Sequence, residues 1–437
     1  MKIVALCGML GYGYSEQALN VAFEEKVDFL GVDAGSTDPG PYYLGSGKSF
    51  TDRNAVKRDL SLALPKALEA KAPFIIGSAG GAGSREHVEW LKEIIKEISK
   101  EKGLHFKMGV VYSDVDKDYV VQKLSDGKVF DMSDQMPLTE DAVLNSTKIV
   151  SQIGVAPIIQ LLKTDVDVIL CGRACDTAIY AAPCIYKGYD PGLAFHMAKI
   201  MECGAMCSEP VAAADVMQAY ISEDCFRLRP ANPARRCTVD RVAAHTLYEQ
   251  SNPYMIYEPD GACDLSRSVF EQEDDRTVKV KSSVFIDAEK KTLKLEGVKI
   301  SGYRTVCPAT IYDPLTIENV DFITDTVSKF VKENTKDTLP ENSYEIFFKT
   351  SGGKESSMGI IIDVVGKTQA IADTVCALAR SRMLHCDYKG RKSTAGNLAF
   401  PFSPSDIHVG EVYEFSVFHL VEVDNLSETA KIEIVEI

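Results

Sequence analysis

The chain has 437 residues, of which 45% are hydrophobic and 25% charged, and it carries a formal net charge of −15. That length allows two or three domains with separate cores, and the acidic balance excludes the basic face that nucleic acid or an anionic membrane would need. No apolar run approaches the ~20 residues that span a bilayer, the N-terminal MKIVALCGMLGYG lacks a cleavable signal's long apolar segment, and twelve cysteines without small-scaffold spacing fit free thiols in a reducing cytoplasm.

Residues 2–6 read as a first strand, followed by Gly8-Met9-Leu10-Gly11-Tyr12-Gly13 and a helix over 15–25. Glycines after a strand let backbone N–H groups approach an anion at a helix N-terminus, so Gly11 and Gly13 are candidate substrate contacts. The spacing is G-x-x-G-x-G rather than the dinucleotide fingerprint G-x-G-x-x-G. A plain tight turn is therefore the stronger alternative, and a dinucleotide-dependent oxidoreductase the weaker one. A strand over 27–32 runs into Asp33, the position of a ribose-binding acid in dinucleotide folds. The loop 34–49 is too long and glycine-rich for a mere connection, and it adds Ser36 as a candidate contact. Its Gly47-Lys48-Ser49 imitates a phosphate loop, but the glycine that motif needs at position 42 is Tyr42.

A helix over 52–70 and a strand over 73–76 lead to Ser78-Ala79-Gly80-Gly81-Ala82-Gly83-Ser84. Exposed amides in such a loop suit a carboxylate or phosphate, which makes Ser78, Gly80 and Gly81 candidates, with a close helix–strand junction as the alternative. A helix over 85–100, a strand over 106–111, a helix beginning near Thr139 and a strand over 166–170 continue the pattern. Alternation of this kind predicts an α/β fold with a mostly parallel, doubly wound type of sheet.

The run Val168-Ile169-Leu170-Cys171 ends on Gly172-Arg173, and two helical segments follow, the second carrying Glu202 and Cys203 just before Gly204. Ligands of open α/β sheets sit beyond the carboxyl ends of the strands, where Arg173 and Asp176 are expected. Arg173 would clamp a small anionic substrate bidentately, with Asp176 orienting it. Glu202 is the candidate base or acid if burial raises its pKa; Cys203 is a second acid/base, a nucleophile or packing. Cys171/Cys175 and Cys203/Cys207 are each four apart, which zinc sites allow without its being diagnostic, and no C-x₂-C-x₂-C run occurs. A metal or iron–sulfur cluster is not expected; a cluster-dependent hydro-lyase on Cys171 and Cys175 is the third alternative. The histidines are scattered singly, and only His196 shares the segment of Glu202.

After about residue 210 the pattern changes. Strands over 215–221 and 225–228 and a helix over 239–250 precede an acidic, turn-rich stretch, 260–276, which sets the expected boundary between an α/β domain, 1–265, that carries the site and an α+β domain, 266–437. Period-two alternation at 277–281 and 292–295 marks antiparallel strands. A helix over 320–331, strands over 344–348 and 359–365, a helix over 369–384 and a strand over 412–423 complete the second half. Arg304 sits among small residues, which suits an anion contact. Lys389, Arg391 and Lys392 form a basic, glycine-flanked knot that suits a phosphate, including one on coenzyme A, or a solvated turn.

At these residues the chain resembles the acyclic terpene utilisation (AtuA-like) family. The resemblance rests on the glycine turn after the first strand, Ser78-Ala79-Gly80-Gly81, Gly172-Arg173 with Asp176, and above all Glu202-Cys203-Gly204-Ala205, with Pro308-Ala309-Thr310 extending it. Longer members read E-C-G-A-Q where this chain has Met206, and the proline-rich loop at 38–45 marks a shorter subgroup. The resemblance implies carboxylic-acid or acyl-CoA catabolism and a small companion protein; the substrate is then a small carboxylic acid or its CoA thioester, and the resemblance assigns no cofactor. The combined expectation is a lyase or isomerase of hydratase or dehydratase type, working by proton abstraction next to a carbonyl in a homo-oligomer. The alternative is a non-catalytic subunit that binds the same acid.

Overall fold

The computed structural model of the chain describes residues 1–132, 137–211, 213–353 and 356–437. They divide into two units, Met1–Lys299 with Phe415–Ile437, and Ile300–Glu414.

The first unit is built on a mixed sheet. Its central strands, Lys2–Ala5, Phe29–Asp33, Phe74–Gly77, Val168–Cys171 and Lys107–Tyr112, lie side by side in that order and run parallel. Apart from Lys107, every residue in them is buried, as strands covered on both faces require. Successive side chains point to opposite cores: Ile3 and Ala5 join Ile75 and Ile169 in one, while Val4 joins Leu30, Val32 and Ile76 in the other. Helices Val155–Leu162, Ala178–Tyr186 and Pro191–Met201 feed the first core with Ile158, Tyr180 and Phe195. Helices Arg53–Ala70 and Arg85–Lys102 feed the second with Leu60, Leu64, Leu91 and Ile95. Their starts follow from capping chemistry: Asp52 accepts from the amides of Asn54 and Ala55, and Asp190, ahead of Pro191, accepts from Leu193.

Antiparallel strands extend this sheet. Met217–Ile221 pairs with Lys2–Ala5, then Cys225–Pro230, Val278–Lys281 and Val269–Gln272 follow in turn, and Lys431–Glu436 pairs with Lys107–Tyr112. Residues 266–299, which the sequence pattern groups with the second domain, therefore pair within the first unit. The stretch 260–276 is turn-rich because it connects short strands, not because it links domains, and Val278 and Val280 are fully buried in the first core. Several elements lie outside the sequence pattern, among them the short helix Pro41–Ser46 inside the long loop, the helix Lys117–Ser125, and the strands Lys148–Gln152, Val269–Gln272 and Lys431–Glu436.

The second unit carries antiparallel strands. Residues 303–311 of the strand Thr292–Ile311 pair with Met358–Gly366, which pairs in turn with Tyr344–Gly352. Helices Val320–Thr335 and Gln369–Leu384 bring Val327, Val331, Val375 and Ala379 onto Ile360, Ile362 and Val364 of this sheet. Among the described residues no helix is long and apolar enough to cross a membrane.

Candidate active site

The site begins with a close approach of two backbones. Helix Pro191–Met201 ends at Glu202, and Gly204 then takes φ +59°. A Cβ on Gly204 would stand 2.7 Å from the Cys7 carbonyl carbon and from the Gly8 nitrogen, and a Cβ on Gly8 would stand 2.9 Å from the Cys203 oxygen. Only glycine at both positions lets the turn seat itself on the end of the first strand. That contact carries Glu202 and Cys203 to the carboxyl edge of the parallel sheet, beside Asp33 and the Asp176 loop.

There they line a pocket of about 240 Å³. Its acidic wall holds Asp33, Asp38, Asp176, Glu202 and Glu249; Met9, Tyr12, Phe50, Met206 and Tyr248 supply apolar and aromatic surface. Asp33 is buried; its Oδ2 accepts from the Gly35 amide at 3.1 Å, and its buried Oδ1 has no hydrogen-bond partner. Burial, and then the Asp176 carboxylate, push Asp33 well above the ordinary aspartate range, with Arg173 opposing them. Asp176 is itself raised by burial against the pull of Arg173. Glu202 is pushed up to about 8, first by burial and then by Asp176, although Lys199 pulls the other way. Three carboxyls crowded at one sheet edge cannot all ionise cheaply, so the pocket holds protons near neutral pH.

Lys199 stands three residues before Glu202 on the same helix face, with Nζ 2.5 Å from Glu202 Oε1 and both side chains buried. Burial opposes its charge, yet the Glu202 carboxylate holds the ammonium above the ordinary lysine value. The i, i+3 spacing is the sequence signal for this pair, but only burial gives it consequence. Two further groups have no signal in the sequence. Glu258 accepts from Thr177 Oγ1 at 2.8 Å and is raised by burial to about 8. Tyr180 buries a hydroxyl without a hydrogen-bond partner.

Several expected contacts are placed elsewhere. Arg173 does not line this pocket. It is 3% exposed, its Nε donates to the fully buried Glu296 at 2.9 Å, and one terminal nitrogen donates to Ser78 Oγ, the Ala174 carbonyl and Asp176. Burial alone would raise Glu296, but Arg173 and Lys294 hold it at about 2. The arginine is committed to an internal ion pair, so the expected bidentate clamp on a substrate carboxylate is corrected.

The glycine turn is likewise occupied: the amides of Gly11 and Gly13 both donate to Oδ2 of the buried Asp59, at 3.0 and 3.1 Å. An internal carboxylate takes the place expected for a ligand anion. Ser78, Gly80 and Gly81 form the close junction weighed as the alternative. Ser78 Oγ bonds Arg173 and Ala174, a Cβ on Gly80 would meet His87 at 2.7 Å, and a Cβ on Gly83 would meet the Arg173 nitrogen at 2.1 Å. Ser36 does line the pocket, with its hydroxyl donating to Asp38 at 2.8 Å.

Cys203 lines the pocket too, but burial and then Glu202 push its thiol up, which disfavours a thiolate nucleophile. His196 is fully buried between Ser283 and Thr246 hydroxyls, and burial lowers it to about 3, leaving it neutral. Arg304 belongs to the second unit, paired with Asp363 at 2.9 Å. Lys389, Arg391 and Lys392 also lie there; the Arg391 guanidinium closes its own loop through Asn397, Ser393 and the Ala395 carbonyl, while Lys389 and Lys392 are exposed. Among the described residues no group of three or more His, Cys, Asp and Glu side chains is placed to hold a metal ion.

Compared with known proteins, residues 52–357 match the family model of the acyclic terpene utilisation family protein AtuA. No curated protein and no solved structure matches the chain.

Proposed function

The chain belongs to the acyclic terpene utilisation (AtuA) family, and we propose that it is an enzyme that moves protons on a small, largely apolar molecule carrying one uncharged oxygen function, as a hydratase, dehydratase or isomerase. The observation that carries this reading is Asp33: a buried carboxyl on the pocket wall whose Oδ1 has no partner within the protein, beside two more carboxyls with raised pKa values. A protonated carboxyl donates to a hydroxyl or carbonyl oxygen, and with a family described by acyclic terpene utilisation this supports an acyclic terpenoid alcohol, or an enoyl thioester derived from one, as the substrate class. A free carboxylate is disfavoured, because it would add negative charge to an acidic wall whose nearest arginine is already paired.

In this reading Glu202, protonated near neutrality, is the general acid. Asp176, raised by burial but drawn toward its ionised form by the Arg173 guanidinium, is the general base. In dehydration Glu202 gives its proton to the substrate hydroxyl, the C–O bond breaks with release of water, and Asp176 removes the proton on the adjacent carbon as the double bond forms. Isomerisation uses the same pair to remove one proton and return another along the chain. Asp33 donates to the reacting oxygen, the Lys199 ammonium stabilises the Glu202 carboxylate left after proton transfer, and the proton taken up by Asp176 returns to Glu202 by way of solvent to close the cycle.

The test is turnover of a panel of unsaturated C5–C10 alcohols, enoic acids and their CoA esters by the parent, Glu202→Gln and Asp33→Asn, with folding verified by circular dichroism. Each variant should lose about 10²–10⁴-fold in kcat, the usual worth of a positioned acid or base. Parental activity in Glu202→Gln sinks the assignment. The Lys199–Glu202 contact also favours a second reading, a static ion pair in a non-catalytic ligand-binding subunit; intact ligand binding with no turnover in the parent would support that one.

A further inference from the structure

The strand Tyr344–Gly352 lies at the edge of its sheet, paired on one side only, with Met358–Gly366. It is nine residues long, longer than the short edges by which proteins usually discourage pairing. Its two faces differ. Tyr344, Ile346 and Phe348 are half-buried against the core beneath the helices. Glu345, Phe347 and Lys349 point the other way, with Phe347 45% exposed and Ile361, opposite Lys349 on the neighbouring strand, 40% exposed. Glu345 is exposed and has no ion-pair partner among the described residues, and the Lys349 side chain is 60% exposed beyond its contact with Asp363.

We propose that this edge is the contact between two copies of the chain, which pair antiparallel about a two-fold axis at Phe347. Register selects this axis. With Phe347 opposite its own copy, Glu345 of each strand faces Lys349 of the other, so two opposite-charge pairs flank an aromatic pair. Moving the axis by one residue to Phe348 sets Glu345 against Ser351, and moving it to Ile346 sets Lys349 against Ser343; neither retains the charge match. A two-fold contact must be self-complementary, and of these three registers only the one centred on Phe347 is so. Each copy also brings the exposed Phe347 and Ile361 toward the seam. Pairing one strand buries less than the roughly 1,200 Å² of a stable standard interface, so assembly should depend on concentration.

The experiment is sedimentation of the full chain over a concentration range, for the parent, Glu345→Lys, Phe347→Cys and Ile361→Cys, each verified as folded. The parent should pass from monomer to dimer. Glu345→Lys, which sets two like charges opposite each other, should weaken the dimer at least about tenfold. Under mild oxidation Phe347→Cys should cross-link, because directly opposed residues have Cα atoms about 4.5–5.5 Å apart, within disulfide reach. Ile361→Cys should not, since the two copies of that strand would lie about 14 Å apart, three strand spacings. A parent that stays monomeric overturns the proposal. So does a dimer untouched by Glu345→Lys, one in which Phe347→Cys fails to link, or one in which Ile361→Cys links equally.

Discussion

Gly204 lies against Cys7 so closely that a single methyl on Gly204 would be 2.7 Å from the Cys7 carbonyl carbon, inside any allowed contact. The residue also holds φ +59°, a conformation that L side chains rarely adopt. Helix end and strand end are thus locked by the absence of a side chain. Gly204→Ala should cost about 2–4 kcal/mol through strain and overpacking together, and it should enlarge the distance between Glu202 and Asp33. Urea unfolding measures the first effect; a parental midpoint would mean that the turn can open without cost.

The Arg173–Glu296 pair makes a contrasting prediction. Arg173→Met leaves the fully buried Glu296 with Lys294 alone, and breaking one side of a buried pair typically costs about 3–5 kcal/mol. The loss should be measurable in ligand-free protein by denaturant unfolding. A variant as stable as the parent that merely binds substrate less well would return Arg173 to the role of substrate clamp.

Asp59 is to the glycine turn what a bound phosphate would be elsewhere. Its Oδ2 accepts from Gly11 and Gly13 while its Oδ1 pairs with Arg58 at 2.7 Å. Asp59→Asn should lower stability by about 1.5–3 kcal/mol, the worth of a hydrogen bond to a charged group. NAD and FAD should leave the melting temperature of the parent unmoved. A clear thermal shift with either dinucleotide would show that the turn opens to a ligand after all.

The raised carboxyls dictate a pH dependence. Glu202 and Glu258 are pushed up to about 8 and Asp260 to about 6, each first by burial. A raised folded-state pKa means that the native protein holds a proton which the unfolded chain has already released, so stability is lost as pH rises from the unfolded value toward the folded one. His196 and His245, lowered by burial to about 3 and 4, have the opposite sign below about pH 6.5. Above pH 6.5 the histidines no longer contribute and stability should fall toward pH 8, by at most about 1.4 kcal/mol per pH unit for each carboxyl still titrating. Glu202→Gln should flatten the slope, and kcat should decline above about pH 8 as Glu202 loses its proton. A stability profile flat from about pH 6.5 to 8.5 would contradict the burial of these acids.

Much of this was legible in the chain. The five parallel strands announce themselves as nearly unbroken apolar runs because both of their faces are covered, and the helix starts as Asp or Ser ahead of the first turn. Asp33, Asp176, Glu202 and Cys203, named from strand ends and one helix end, line one pocket. What misled was charge without context. Arg173 and the glycine turn read as anion sites because an unpaired arginine and free amides are what a sequence displays, and their partners, Glu296 and Asp59, lie 123 and 48 residues away in the chain.

The sequence by itself determined the strands and main helices of the parallel core and the acids at its carboxyl edge, since hydrophobic period and capping are local and burial on two faces leaves a compositional trace. Only the tertiary structure decided which of the polar groups are free to act. Whether a charge is available depends on what long-range packing sets beside it, and a carboxylate far along the chain satisfies an arginine or a pair of amides as well as a ligand would. Burial, likewise a property of the assembled fold, is what raises three ordinary acids above their usual range and lets Glu202 hold its proton at neutral pH.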